Sequence, residues 1–336
     1  MIGPNAVPRR PESTSTLIAL DWGTSTLRAH LLGMHGEILE TRTQPWGIMR
    51  TPNGDFAQAF RAMTNDWRQR APHVPAIASG MIGSAQGWRE VPYKTCPAGL
   101  EELVEGLQPL VETGIRLHIV PGITVRGALP DVMRGEETQV MGALEFVPDL
   151  RASARLVLPG THSKWVMVRD GGIETFTTYM TGELFAVLRD HSILGRPAIA
   201  AGVEANAEDA NALGFERGVV AARDHAHVGL SALIFSARTL MLAGQLLPVD
   251  TLSYLSGLLI GEELRSALAG RGLGGGPVTL IGDPQLCARY ARAFELFDVP
   301  NVGAIEDAAT AGLWRIAVGA ALITQDGATA LTEPTT

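Results

Sequence analysis

The chain has 336 residues, a formal net charge of −8 and 46% apolar residues. That length exceeds the usual single domain and sets two domains as the expectation. The acidic balance argues against a broad nucleic-acid surface, and no apolar stretch has the length and purity of a membrane span. The two cysteines, Cys96 and Cys287, lie far apart without metal-type spacing, and they read as buried thiols of a reducing, cytoplasmic setting.

Residues 1–15 are rich in Pro and Arg and are expected to form a disordered arm. The ordered chain opens on Leu17 to Leu32, LIALDWGTSTLRAHLL. It reads as strand, tight turn, strand: an apolar run ends on Asp21, then Gly23, Thr24 and Ser25 turn the chain into a second, alternating run. A carboxylate at the end of a buried strand calls for a compensating cation. Backbone N–H groups and hydroxyls in such a turn suit phosphate oxygens. Asp21 is therefore a candidate for a metal ion, and Gly23, Thr24 and Ser25 for phosphate; a plain hairpin with a polar turn is the alternative.

Glu37 to Thr43 suits a third strand, and a loop follows at Pro45-Trp46-Gly47-Ile48. Phe56, Phe60, Met63 and Trp67 share one helix face, ended by Pro72. Pro75 to Ser79 reads as a buried strand that opens into Gly80-Met81-Ile82-Gly83-Ser84-Ala85-Gln86-Gly87-Trp88. A glycine-rich loop at the carboxyl end of a strand is where open α/β sheets bind ligands. Pro97 to Val111 is expected to hold a helix with a Leu100, Leu103, Leu107 stripe, and Leu117 to Val120 a short strand. Asp131-Val132-Met133-Arg134-Gly135-Glu136-Glu137 then enters a helix. Acids in a first turn complement the helix dipole, and one of them in a cleft would serve as a general base.

The composition turns polar at Asp149 to Ala154, which places a domain boundary between residues 150 and 151. Leu156 to Val168 repeats the opening logic, strand, turn, strand, with Gly160, Thr161, His162, Ser163 and Lys164 as candidate phosphate ligands. Asp170-Gly171-Gly172 forms a hairpin turn. The two hairpins make a weak internal repeat. Thr181 is the expected N-cap of the next helix. Gly202 to Phe215 suits an exposed helix, Gly229 to Leu247 a long buried one, and Tyr254 to Leu268 another whose Gly257 and Gly261 permit close packing. Val278 to Asp283 is a strand ending in Gly282-Asp283, a third candidate ligand edge, followed by a helix over Pro284 to Phe297. Ala304 to Leu322 reads as a small-residue helix, and residues 324–336 as a flexible tail.

The order of these elements resembles the actin-like sugar-kinase ATPases. More narrowly, the stretches ALDWGTSTLRAHL, PWGIM, ASGMIGSAQGWREVPY, DVMRGEETQVMGAL, LPGTHSKWV and MTGELFAVLRDHSILGR resemble the 2-keto-3-deoxygalactonate kinase family, over nearly everything between Leu17 and Ala317. The resemblance implies an α/β fold of two actin-like (ribonuclease H-like) domains, mixed sheets flanked by helices, with the nucleotide in the interdomain cleft. Residues 16–150 would form the first domain; residues 151–323 would form the second and include the closing helix. It implies ATP and Mg²⁺ as cosubstrate and cofactor, and transfer of the γ-phosphate to the terminal hydroxyl of 2-dehydro-3-deoxy-D-galactonate.

By analogy with sugar kinases, Glu136 is the first choice for the base, Glu137 the second and Asp131 the third. Asp21 would act on Mg²⁺ through water, and Gly282 and Asp283 would lie near adenosine. The acceptor loops would be Trp46-Gly47 and the run carrying Ser79, Gly80, Met81, Gly83 and Trp88. Arg28, Arg89 and Arg134 are the candidate partners of the acceptor carboxylate, since Arg matches that geometry with two hydrogen bonds. The expected partner is a small keto-deoxy sugar acid, with no nucleic acid and no membrane; oligomeric state is open. The alternatives are a kinase for another keto-deoxy or aldonic acid, and a non-catalytic actin-like nucleotide switch.

Overall fold

A computed structural model describes residues 15–112, 114–202, 212–269, 277–300 and 302–324. Strands of four or more residues and helices of eight or more are numbered. The chain divides into two units. The first comprises residues up to Thr124, Met133–Phe146 and everything from Ala309 onward; the second comprises Val125–Val132 and Val147–Ala308.

In the first unit, β1 (Leu17–Trp22), β2 (Leu27–Leu32) and β3 (Ile38–Gln44) run antiparallel. β4 (Ala76–Ser79) lies parallel to β1 on its other side. β5 (Gln108–Glu112) and β6 (Ile115–Ile119) complete a six-stranded sheet of order β3-β2-β1-β4-β6-β5. The β1 side chains are buried up to Asp21, because this central strand is covered on both faces. Helix α1 (Phe56–Arg70) is capped by the Asp55 carboxylate, which accepts from Gln58 N–H at 2.8 Å. Its inward face is Ala59, Phe60, Met63 and Trp67. Phe56 sits at the edge of that face, stacked on Trp88 and edge-on to Trp22.

In the second unit, β7 (Ser153–Leu158), β8 (Ser163–Arg169) and β9 (Gly172–Tyr179) are again antiparallel. β10 (Val278–Ile281) and β11 (Val302–Ile305) add in parallel on the far side of β7, giving the order β9-β8-β7-β10-β11. Strand order and sense match β3-β2-β1-β4-β6, so the internal repeat extends from a hairpin to five strands. Asp170 and Gly171, at φ +50° and +77°, form the tight β8–β9 turn.

Helix α2 (Glu136–Phe146) leads away from the Arg134-Gly135 bend. Helices α3 (Thr181–His191), α4 (Ala212–Asp224), α5 (Thr251–Ala269) and α6 (Pro284–Leu296) follow, and α7 (Ala308–Gly319) closes the fold. Small residues set the closest crossings. A methyl group on Gly257 would lie 2.0 Å from the Phe215 carbonyl oxygen, and one on Gly218 would lie 2.1 Å from that of Tyr254, so α4 and α5 meet backbone to backbone. Gly312 of α7 abuts the Thr138 carbonyl of α2 in the same way, at 1.9 Å for an added methyl. That contact puts the residues from Ala309 onward in the first unit, whereas the sequence placed the closing helix in the second.

Three local expectations differ from the structure, and a fourth falls mostly outside the described residues. The stretch Pro97 to Val111 forms only a short helix, Leu100–Glu105, and then the edge strand β5. Pro109 suits an edge strand and would break a helix interior. Gly229 to Leu247 is not one buried helix but two short ones, Leu230–Leu233 and Ser236–Leu242. Phe235, Leu242 and Leu247 are exposed there, because the apolar residues follow no single helical stripe. Thr181 is the first helical residue rather than the cap: Met180 precedes the helix, and the Thr181 hydroxyl donates to Glu263. The expected exposed helix over Gly202 to Phe215 falls mostly outside the described residues, which resume with α4. Among the described residues, no helix is long and apolar enough to cross a membrane.

Candidate active site

The carboxyl ends of β1 and β4 meet in the first unit. Asp21 pairs with Ser79 across the two parallel strands, and Gly80 follows at φ +92°. A methyl group on Gly80 would lie 2.8 Å from the Trp22 carbonyl and 3.6 Å from an Asp21 oxygen. Gly135, at φ +110°, packs against it: its added methyl would lie 3.3 Å from the Gly80 Cα. Glycine is required at both bends by dihedral angle, and at Gly80 by space as well. They bring Asp21, the glycine-rich loop and the acidic start of α2 to one point.

Asp21 is about one-third exposed and faces Arg28 at 3.9 Å. Burial raises its pKa, and the Arg28 guanidinium opposes that rise. The turn after it is braced from behind. Gly23 N–H donates to the Thr26 carbonyl at 2.9 Å, while Ile48 and Met49 N–H donate to the Gly23 and Thr24 carbonyls at 3.0 and 3.2 Å. A methyl group on Gly47 would strike the Thr24 carbonyl at 2.3 Å, and Trp22 Nε1 donates to the Trp46 carbonyl at 2.8 Å. The Trp46-Gly47 backbone thus supports the Gly23–Ser25 turn, leaving Thr24 and Ser25 exposed.

At the start of α2 the two acids differ. Glu137 is fully buried, with both carboxylate oxygens on the Gly135 N–H at 2.9 and 2.7 Å and the Thr138 hydroxyl donating to it at 3.1 Å. Desolvation, with the neighbouring Glu136 charge, pushes its pKa up to about 8. Glu136 is partly exposed and accepts from the Arg134 N–H at 3.1 Å.

The third base candidate, Asp131, opens the short strand Asp131–Met133. It belongs to the second unit, where its carboxylate accepts from Thr178 N–H at 2.6 Å and the Thr178 hydroxyl at 2.7 Å.

Among the acceptor candidates, Ser79 and Gly83 are buried and Met81 is partly exposed. Trp88 packs in the Trp22–Phe56–Phe60 cluster and donates to Glu112 at 3.1 Å. Arg28 and Arg89 are exposed. Arg134 is buried, donating to the Val91 carbonyl at 2.7 Å with its guanidinium 4.3 Å from the Tyr93 ring centroid.

In the second unit, Gly160 and Thr161 lie against the start of α3. Glu183 N–H donates to the Thr161 carbonyl at 3.0 Å, and a methyl group on Gly182 would meet the Gly160 carbonyl at 2.5 Å. Thr161 and His162 are exposed, and the His162 ring bonds to Glu183. Lys164 is buried and reaches the Thr178 hydroxyl at 3.0 Å, so it is not a solvated turn lysine. Ser163 differs from the expected phosphate ligand: it is fully buried, and its hydroxyl bonds to Tyr290 at 2.8 Å. Gly282, at φ +142°, donates to the Ile305 carbonyl at 3.3 Å. Asp283 caps α6 through the Gln285 and Leu286 N–H groups, both at 3.0 Å.

Sequence reasoning missed Glu263, a buried carboxylate on α5 that accepts from Trp165, Thr181 and Tyr290. Two adjacent acids, Glu262 and Glu263, inside the otherwise apolar run of Leu255 to Leu264 were the available signal. Among the described residues no group of three or more His, Cys, Asp or Glu is placed to hold a metal ion.

The doubled five-strand order, with a Gly-Thr turn after the first strand of each sheet and an acidic helix start beside one of them, defines an actin-like ATPase of the sugar-kinase class. The family model described as 2-keto-3-deoxy-galactonokinase matches residues 21–316, and the chain belongs to that family. A Rhizobium meliloti (strain 1021) protein named "Probable 2-dehydro-3-deoxygalactonokinase DgoK1" is 38% identical over 88% of this chain and 94% of its own length. The Escherichia coli (strain K12) 2-dehydro-3-deoxygalactonokinase is 36% identical over 84% of this chain and 90% of its own. A crystal structure of a Sinorhizobium meliloti protein assigned to the same activity is similar with a TM-score of 0.81 and 35% identity, covering 90% of this chain and 98% of that one.

Proposed function

We propose that the protein transfers the γ-phosphoryl group of ATP to the terminal hydroxyl of 2-dehydro-3-deoxy-D-galactonate, releasing ADP and the 6-phosphate. Family membership sets the reaction class, and the convergence of Asp21, Gly80 and Gly135 carries the assignment of roles. Phosphoryl transfer asks the protein for positioning, neutralisation of charge and a group to take the alcohol proton.

Glu136 takes that proton as the acceptor oxygen bonds to phosphorus and the bond to ADP breaks. It is the acid partly open to solvent, whereas Glu137 is enclosed and protonated near neutrality. In the first unit the exposed Thr24-Ser25 turn is a phosphate-binding element; in the second, that element is the turn carrying Gly160, Thr161, His162 and Lys164. Asp21 would hold Mg²⁺, which when bound draws charge from the phosphates. A keto-deoxy sugar acid as acceptor, ATP as donor and a cytoplasmic setting belong to the same reading.

The test is a screen of keto-deoxy and aldonic sugar acids in a coupled assay for ADP release. Turnover is expected to depend on 2-dehydro-3-deoxy-D-galactonate. Preference for a different acid would reassign the substrate, and ATP turnover indifferent to every acceptor would overturn the kinase reading. Glu136→Gln is expected to lower kcat by about a hundred-fold or more with nucleotide affinity unchanged; near-full activity would remove Glu136 from the role.

A further inference from the structure

Glu263 lies on α5, 2% exposed. A buried carboxylate is costly to desolvate unless donors surround it, and donors to a charged acceptor form the stronger class of hydrogen bond. Three side chains supply them: Trp165 Nε1 at 2.7 Å, Tyr290 OH at 2.7 Å and the Thr181 hydroxyl.

These donors stand on β8, α6 and α3, and each is tied to the same turn. Trp165 follows Lys164 directly on β8. Thr181 precedes Gly182 and Glu183, which rest on the Gly160 and Thr161 carbonyls. The Tyr290 hydroxyl also bonds the Ser163 hydroxyl at 2.8 Å, and Gly160 N–H reaches Ser163 Oγ at 3.4 Å. An acid serving only to glue helices together would have no reason to collect three donors that all border one loop.

We propose that Glu263, acting through Tyr290 and Ser163, is a positioning residue that fixes the Gly160–Lys164 turn in the conformation that receives nucleotide phosphate. This rests on the reading of that turn as an ATP site. Ser163, buried and turned away from solvent, is a relay in this arrangement rather than a phosphate ligand.

The experiment compares Tyr290→Phe with Tyr254→Phe in the full-length enzyme. Both lose a buried hydroxyl and keep the ring; the Tyr254 hydroxyl bonds Ser236 at 2.7 Å, away from the turn. Tyr290→Phe is expected to raise KM for ATP and the ADP dissociation constant by about ten-fold, the scale of one oriented hydrogen bond. Its kcat at saturating ATP and its KM for the sugar acid should change by less than about two-fold. Tyr254→Phe should alter none of the four by more than that. Glu263→Gln, which keeps shape and can still accept, is expected to fall between wild type and Tyr290→Phe.

Lys164→Met separates the two layers of the argument. If it weakens ADP binding while Tyr290→Phe behaves like Tyr254→Phe, the positioning role is overturned and the ATP reading stands. If it leaves ADP binding intact, the turn is not the nucleotide site and both fall.

Discussion

Glu137 gives the sharpest handle on the energetics of this fold. It is fully buried at the start of α2, and its pKa is pushed from 4.5 up to about 8 by desolvation first and the Glu136 charge second. Below pH 4.5 the group is protonated in both folded and unfolded chains and has no effect on stability through ionisation. Between the two values the unfolded chain gives up its proton while the folded one keeps it, so stability falls as pH rises. Above about 8 both are ionised and the loss is complete. A shift of 3.5 units corresponds to roughly 5 kcal/mol at 1.36 kcal/mol per unit.

Denaturant unfolding of wild type and Glu137→Gln between about pH 5 and about pH 9 reads this group together with its coupling to Glu136, since titrations not coupled to it cancel in the difference. The glutamine variant is expected to gain on wild type by several kcal/mol over that range. In a Glu136→Gln background the change should occur at lower pH, because the neighbouring charge is gone. A difference between the two proteins that stays constant within about 1 kcal/mol across the range would refute the reasoning: Glu137 would then be ionised in the folded protein at no cost.

Two other perturbations test separate parts of the structure. Asp21→Asn is expected to raise the Mg²⁺ concentration for half-maximal activity by about ten-fold or more; an unchanged magnesium titration would remove Asp21 from metal binding. Gly257→Ala places a methyl group 2.0 Å from the Phe215 carbonyl oxygen and must part α4 from α5. The expected cost is about 2–3 kcal/mol, seen as a fall in Tm of roughly 4–12 °C, and a melting curve that overlays wild type would contradict the close crossing.

Features written in contiguous residues were legible. The LIALDWGTSTLRAHLL hairpin, the Asp170-Gly171 turn and the Val278 to Asp283 strand all announce themselves through alternation, glycine and a terminal acid. The small residues of α5 and α7 also told their purpose, since Gly257 and Gly312 sit where backbones touch. What could not be read depends on partners distant in the chain. Asp131 is occupied by Thr178, 47 residues away, and Glu263 by Trp165, 98 residues away, so neither role is visible locally. The difference between Glu136 and Glu137 is one of burial, and two adjacent acids in a first turn look alike until the helix is packed. The misread Gly229 to Leu247 segment shows the converse: an apolar composition without a 3.6-residue stripe does not establish burial.

The crossing of Gly312 over the Thr138 carbonyl bears on how this protein is made. The first unit receives its last structural piece only after some 160 residues of the second have been synthesised. On a ribosome, then, the lobe that begins the message cannot mature first: the lobe encoded between its parts can finish while it still waits for α7. Pulse-labelled protection of α2 during translation would record that inverted timetable.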